Sequence, residues 1–185
     1  PWGVSSGCGV RAIIAGMSDI LYRNRFRIPS TRLLGWDYSR GGTYCVTICT
    51  RDRVCWLGEI SEGRMVLSGP GDIVSEEWEE MARRRPQVDL DAWIVMPNHI
   101  HGIVCLDPPR LNGRPTPLGE MIGQFKAACS RRIWGTGQRD FAWQPRFYDQ
   151  IIRSDDVLQR FRRYIVENPL RWEDDKHHPN AVDGR

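Results

Sequence analysis

Two histidines separated by a single isoleucine, His99-Ile100-His101, lie within a short run of apolar residues. Residues i and i+2 of a β-strand point to the same face of a sheet. A strand here would therefore present both imidazoles together and turn Ile100 to the opposite, core-facing side. Imidazole is a common ligand of divalent metals, so the pair predicts half of a metal site. Two partly buried structural histidines would give the same pattern.

A second pair of side chains lies near the end of the last predicted helix. Tyr164 and Asn168 are four residues apart, which places them on the same helix face. Asn168 offers a carbonyl oxygen as a hard ligand, and Tyr164 offers a phenol. Alone, such a tyrosine is usually a core residue and such an asparagine a cap. Together with His99 and His101 they indicate a divalent cation, Mg²⁺ or Mn²⁺, held by the histidines and Asn168 beside a tyrosine that can attack.

The segments around these side chains carry the periodic patterns of strands and helices. Alternating apolar residues predict strands over 43–50, 89–97, 99–106 and 147–153, with a hairpin over 54–68. Helical spacing predicts amphipathic helices over 71–85, 118–134 and 155–168. Without the hairpin the order is βαββαβ, the ferredoxin-like pattern, followed by an extra C-terminal helix that carries Tyr164. The predicted fold class is therefore α+β, with an antiparallel sheet and an inserted β-hairpin.

Composition limits the classes of protein that are possible. The chain has 185 residues, of which 41% are hydrophobic, and a net charge of +3, values typical of one globular domain. No apolar stretch has the length of a membrane span and the first residues lack a signal-peptide pattern, so we expect a cytoplasmic protein without a membrane partner.

Residues 1–22 are predicted to be disordered or an over-extended N-terminus. Residues 23–173 form the predicted domain, and 174–185 a polar, mobile tail.

The six cysteines contain no Cys-x-x-Cys pair and lie far apart or inside apolar runs. We therefore predict buried thiols rather than a disulfide framework or a structural zinc site.

Arginine dominates the basic residues, making up 24 of the 26. The planar guanidinium group of arginine binds phosphate oxygens through two hydrogen bonds. A solvated surface, or a genome that favours arginine over lysine, would give the same composition. Candidate DNA contacts are an N-terminal arm and a surface formed by the second helix and the residues before the fourth strand. These are Arg23, Arg25, Arg27 and Arg32 in the arm, and Lys126, Arg131, Arg132 and Arg146 on the surface. Arg160, Arg162 and Arg163 of the third helix are further candidates for that surface. Trp143 and Phe147 could stack on unpaired bases, but such residues are more often core.

Four blocks of the sequence resemble a known family. GWDYSRGGTYCVTICTRDR, VMPNHIHGIV, WQPRFYDQIIRSDD and YIVENPLRW occur in the order and spacing of the REP-associated tyrosine transposases, within the superfamily of His-hydrophobic-His (HUH) nucleases. The resemblance covers residues 23–173. It implies a ferredoxin-like fold, metal ligation by His99 and His101, a third ligand at Asn168, and Tyr164 as nucleophile.

The resemblance also implies a reaction and a partner. Members of the family cut single-stranded DNA near imperfect hairpins, so the phenolate of Tyr164 is expected to attack a phosphodiester and form a 5′-phosphotyrosine. A later 3′-hydroxyl can then rejoin the strand. The family includes monomers and homodimers, and both states stay open here.

Two other classes of function compete with this interpretation. A ferredoxin-like sheet can bind nucleic acid without chemistry, although such a protein would not need two histidines opposite a helical Tyr-x-x-x-Asn. A hydrolytic metal nuclease would use several carboxylates, and none is expected near the His99-Ile100-His101 strand. The Asp174, Asp175, His177 and His178 cluster of the tail is not expected to bind metal, because adjacent histidines in a polar tail lack a rigid frame.

Overall fold

The computed structural model describes residues 41–108 and 117–181. The predicted N-terminal segment 1–22 and the arginine arm, with Arg23, Arg25, Arg27 and Arg32, lie outside the described residues. In chain order the elements are β1 (Gly42–Cys49), β2 (Gly58–Ser61), β3 (Arg64–Leu67), α1 (Gly69–Arg83), β4 (Val88–Met96), β5 (His99–Leu106), α2 (Leu118–Gly135), β6 (Tyr148–Ile152) and α3 (Asp155–Glu167).

Four strands form the main sheet in the order β4-β5-β1-β6, and every neighbouring pair is antiparallel. The short strands β2 and β3 make a separate hairpin between β1 and α1. Without that hairpin the chain has the βαββαβ connectivity of the ferredoxin-like fold, with α3 as the additional C-terminal helix. The predicted α+β fold is therefore confirmed.

One face of the sheet carries the hydrophobic core. Alternate residues of β1 and β5, among them Val46 and Ile100, are fully buried in a cluster with residues of α1 and α2. Gly102 is part of this arrangement, because a Cβ atom at this position would meet Cζ2 of Trp78 at 2.4 Å. The indole of Trp78 can thus lie directly on the backbone of the strand that carries the two histidines.

Helix α3 contacts β4 and β5. An ion pair joins α3 to β4, since Nε and Nη2 of Arg162 donate to the two carboxylate oxygens of Asp91 at 2.8 and 2.5 Å. The helix ends at Glu167, with Asn168 as its C-cap, as the following Pro169 predicts. A 3-10 turn over Asn168–Asp174 then turns the chain.

The segment after this turn is packed, in contrast to the predicted mobile tail. Asp175 and His177 are only 8% and 6% exposed. Nδ2 of Asn98 donates to the carbonyl of His177 at 2.8 Å, and the backbone N–H of His177 donates to Asp175 at 2.6 Å. These bonds satisfy polar groups that would otherwise stay in water, so the prediction of a mobile tail is wrong for these residues.

Five cysteines lie in the described residues, all as free thiols, and Cys45, Cys49 and Cys129 are buried. Among the described residues, no helix has the length and apolarity needed to cross a membrane.

Candidate active site

The two histidines of β5 lie side by side on the sheet face opposite the core cluster. His99 is completely buried and His101 is 2% exposed. Their ring centroids are 4.5 Å apart. In the β1–β5 register His101 lies opposite Thr47, and His99 opposite Cys49. The i, i+2 spacing therefore brings both imidazoles to one place, as the sequence predicts.

Each ring is held through its Nδ1 atom. Nδ1 of His99 lies 2.8 Å from Oδ1 of Asn98, and Nδ1 of His101 lies 2.8 Å from Oγ1 of Thr47. Nδ2 of Asn98 donates to two backbone carbonyls, which fixes the orientation of this amide. The atom that faces His99 is therefore the amide oxygen, which can only accept a hydrogen bond, so His99 carries its proton on Nδ1. Nε2 of His99 is thus unprotonated and has a lone pair available for a ligand. It is buried without a hydrogen-bond partner.

Helix α3 places Tyr164 and Asn168 over these rings. The hydroxyl of Tyr164 lies 3.2 Å from Nε2 of His101, with ring centroids 5.1 Å apart. Asn168 is buried, and its Nδ2 donates to Oδ2 of Asp175 at 3.3 Å. Oδ1 of Asn168 is buried and has no hydrogen-bond partner. The structure therefore brings the predicted tyrosine and asparagine to the histidines.

Two residues of the C-terminal segment also lie in the site. Ligand atoms of His99, His101 and Asp175 all lie within 4.8 Å of one another, a grouping that could hold a metal ion. The ring centroid of His177 is 4.8 Å from that of His99, and Nδ1 of His177 is 3.6 Å from Sγ of Cys49. The expectation that no carboxylate lies near the histidine strand is therefore wrong, because Asp175 belongs to this group. The 3-10 turn after α3 folds the chain back, and no local spacing in the sequence signals that return.

Burial controls the charge states of the site. Desolvation, followed by the neighbouring imidazoles and Lys176, lowers the pKa of His99 well below its usual value of 6.5. Desolvation, with the charges of His177 and Lys176, lowers the pKa of His101 to about 3. Both rings are therefore neutral at pH 7. Burial and then the carboxylate of Asp175 raise the pKa of Tyr164 to about 12, so its phenol is protonated at that pH.

The donor set fits a hard or borderline divalent cation. Two neutral imidazoles supply nitrogen, and Asp175 and Asn168 supply oxygen. The buried Nε2 of His99 and Oδ1 of Asn168 have no hydrogen-bond partner, which is costly unless another group completes their coordination. The group could therefore hold a metal ion, which would complete the coordination of these two atoms.

A cleft of about 1010 Å³ borders the site between β6 and α3. His101, Tyr164 and Asn168 form part of its wall. Its other lining residues include three cations and an exposed aromatic ring, namely Arg160, Arg171, Lys176 and Tyr148.

Of the basic residues predicted as a DNA-binding surface, Arg160 lines this cleft, whereas Lys126, Arg131, Arg132 and Arg146 do not. Nζ of Lys126 donates to the carbonyls of Gln144 and Arg146 at 2.7 and 2.8 Å, and Arg132 pairs with Glu76 and Glu77 on α1. Arg131 and Arg146 are exposed.

The two aromatic residues predicted as possible stacking partners belong to the interior. Trp143 is buried among Phe125 and Phe141, and Phe147 is partly buried against the core. The structural alternative is therefore the correct one for both.

Similar proteins are known, although no protein-family model matches the chain. An uncharacterized protein of Haemophilus influenzae is 31% identical over 163 residues, which cover 80% of this chain and 91% of the relative. A REP-associated tyrosine transposase of Escherichia coli is 28% identical over 134 residues, 72% of this chain and 70% of the relative. The solved structure of a REP-associated tyrosine transposase bound to a REP hairpin matches with a TM-score of 0.54 and 25% identity, over 71% of this chain and 68% of that one. The chain is therefore similar in sequence and in fold to REP-associated tyrosine transposases.

This similarity confirms the resemblance found in the four sequence blocks. The named relatives are transposases, which are DNA-processing enzymes, and the solved one holds a hairpin. The mixed α+β architecture, with its four-stranded antiparallel sheet, separate hairpin and three helices, matches that neighbour.

Proposed function

We propose that this protein is a metal-dependent single-stranded DNA endonuclease and strand-transferase whose nucleophile is Tyr164. The observation that carries the proposal is the hydroxyl of Tyr164, which lies 3.2 Å from Nε2 of His101 at the edge of the buried His99, His101 and Asp175 group. A nucleophile beside a metal-ligating set is the arrangement that phosphodiester transesterification needs.

The chemical step is an exchange of one ester for another. Oη of Tyr164 attacks the phosphorus atom of a phosphodiester, and the bond from phosphorus to the 3′-oxygen breaks. The products are a 5′-phosphotyrosine and a 3′-hydroxyl, which takes up a proton. Attack by a later 3′-hydroxyl reverses the exchange and rejoins the strand without ATP, because the ester bond is retained.

The phenol must lose its proton in this step, and its raised pKa opposes that loss. The residues that would hold a cation are His99 and His101, with oxygen from Asp175 or Asn168, and we propose Mg²⁺ or Mn²⁺. When bound, such an ion neutralises the phosphate oxygens and favours the phenolate form. Thr47 and Asn98 orient the two imidazoles toward it through their Nδ1 atoms.

The proposed substrate is single-stranded DNA that carries a hairpin. The cleft beside Tyr164 has room for several nucleotides, and Arg160, Arg171 and Lys176 in its wall complement a phosphate backbone. A family member binds a REP hairpin. Sequence-independent contacts of this kind would hold the strand while the hairpin sets the position of cleavage.

The test is covalent capture of the DNA. The full chain is incubated with end-labelled single-stranded hairpin oligonucleotides and Mn²⁺ or Mg²⁺, and adducts are separated on a denaturing gel. We expect a protein–DNA adduct whose phosphotyrosine maps to Tyr164 by mass spectrometry, and none with Tyr164→Phe, which loses only a hydroxyl. An adduct at wild-type level in Tyr164→Phe would overturn the assignment. DNA binding without any adduct in the wild type would favour the non-catalytic alternative.

A further inference from the structure

An exposed tyrosine on the edge strand of the sheet faces the cleft. Tyr148 is 50% exposed and begins β6, which pairs with β1 at one end of the strand order. In the register it lies opposite Thr47, the residue that holds His101, so the two side chains share the site face. The ring centroid of Tyr148 is 6.3 Å from that of His177. An aromatic ring thus lies next to the proposed catalytic group and open to solvent.

We propose that Tyr148 is the stacking platform for an unpaired base that adjoins the scissile phosphate. The inference rests on the proposed function, because it concerns how the proposed active site binds its single-stranded DNA substrate. Proteins that bind single strands combine cations that track the backbone with aromatic faces on which bases stack. The cleft contains both, since it is lined by Tyr148 of β6, by Arg160 of α3 and by Arg171 of the 3-10 turn.

The charges of the cleft explain why a stacking group is needed there. Asp174 and Asp175 line the same cleft as Arg160, Arg171 and Lys176, so its field is not uniformly attractive to a phosphate. Stacking on a π-face does not depend on charge and is tolerant of base sequence. It would hold the strand near the carboxylates, where electrostatic attraction alone is weak.

The structure also separates Tyr148 from the aromatic residues of the core. Trp143 is 7% exposed and packs against Phe125 and Phe141, whereas Tyr148 is 50% exposed. An aromatic ring left in water gains little from the hydrophobic effect, so a ligand that covers it recovers that free energy.

The test measures binding in a Tyr164→Phe background without metal, so that no cleavage interferes. The probe is a short fluorescent single-stranded oligonucleotide of mixed sequence, titrated at several salt concentrations. Tyr148→Leu should weaken binding by about 5- to 150-fold, the range of one base stacked on an aromatic ring, and Tyr148→Phe should retain affinity because the ring remains. Since stacking releases no counterions, Tyr148→Leu should leave the salt slope unchanged. Arg160→Gln is the matched control and should reduce that slope by about 0.7.

Three results would overturn the inference: unchanged affinity in Tyr148→Leu, an equal loss in Tyr148→Phe, or a reduced salt slope in Tyr148→Leu. Circular dichroism checks that each variant is folded. Adduct formation by the wild type decides the proposed function separately. If the adduct forms and Tyr148→Leu binds normally, the stacking role fails alone; if the wild type binds no single strand, both fail.

Discussion

Arg162 of α3 and Asp91 of β4 form a bidentate ion pair, with donor–acceptor distances of 2.8 and 2.5 Å. Arg162 lies two residues before Tyr164. The pair therefore joins the helix that carries the proposed nucleophile to the sheet that carries the histidines, and it does so without entering the site.

Loss of this ion pair should displace α3, and with it Tyr164, but should leave the His99, His101 and Asp175 group in place. For Asp91→Asn we expect a melting temperature lower by at most a few degrees, because the pair is partly exposed, and slower adduct formation. Mn²⁺ affinity, measured by calorimetry, should be retained. A full adduct rate in Asp91→Asn would show that α3 is positioned by its apolar contacts alone.

The same pair predicts a pH dependence of stability. The hydrogen bonds from Arg162 hold the pKa of Asp91 below its ordinary value of 3.8. A carboxylate whose pKa is lower in the folded state stabilises the fold above the unfolded-state pKa and loses that contribution as the pH falls through the folded-state value. The difference in unfolding free energy between wild type and Asp91→Asn should thus be constant near neutral pH and shrink below about pH 4. Urea titrations at several pH values measure it, and a difference that grows on acidification would contradict the prediction.

Removal of either imidazole should abolish metal binding. We expect His99→Ala and His101→Ala to lose calorimetric Mn²⁺ binding and adduct formation together, because each removes a neutral nitrogen ligand. His178→Ala is the matched control, since His178 lies in the same C-terminal segment but outside the His99, His101 and Asp175 group. Retention of Mn²⁺ binding in both site variants would make the histidines structural.

Substitution of the two oxygen donors should identify the third ligand. If Asp175 ligates the ion, Asp175→Asn should lower Mn²⁺ affinity strongly, because a charged oxygen is replaced by a neutral one. Asn168→Asp should then have a smaller effect on affinity than Asp175→Asn. The reverse order would assign the ligand to Asn168, as the family resemblance implies.

Gly102 should not tolerate a larger residue. A Cβ at this position would meet the Trp78 ring at 2.4 Å, so Gly102→Ala should destabilise the fold by about 1–3 kcal/mol. Gly123→Ala is the control, since Gly123 is in α2 with no atom within 4 Å of a Cβ, and it should stabilise the fold by about 0.5–1 kcal/mol. Equal unfolding free energies for the two variants would exclude the proposed contact.

The fold was predictable from sequence because its determinants are local. The 2-residue and 3.6-residue apolar periods, together with Pro86 and Pro169, give the strands and helices to within a few residues. The His99, His101, Tyr164 and Asn168 set was predictable because each pair lies on one element with a fixed period. Asp175 and His177 were missed because only the tertiary return of the chain brings them to the sheet.

Tyr148 was missed for another reason. Aromatic residues near strands usually pack in the core, and periodicity does not say which face of an edge strand stays uncovered. Trp143 and Phe147 fit the general rule, whereas the exposure of Tyr148 follows from the position of β6 in the strand order.

Asn98 joins three distant parts of the chain, and this has a consequence for the order of folding. Its side chain bonds the carbonyl of Arg53, 45 residues away, and that of His177, 79 residues away, while also holding His99. Contacts of such sequence separation form only after large loops have closed, so they tend to come after local structure. The pairing of β1 with β6 also joins residues more than 100 positions apart, so the sheet and the group held by Asn98 are expected to form at the same late stage. The proposed active site would therefore be complete only when the whole described chain has folded.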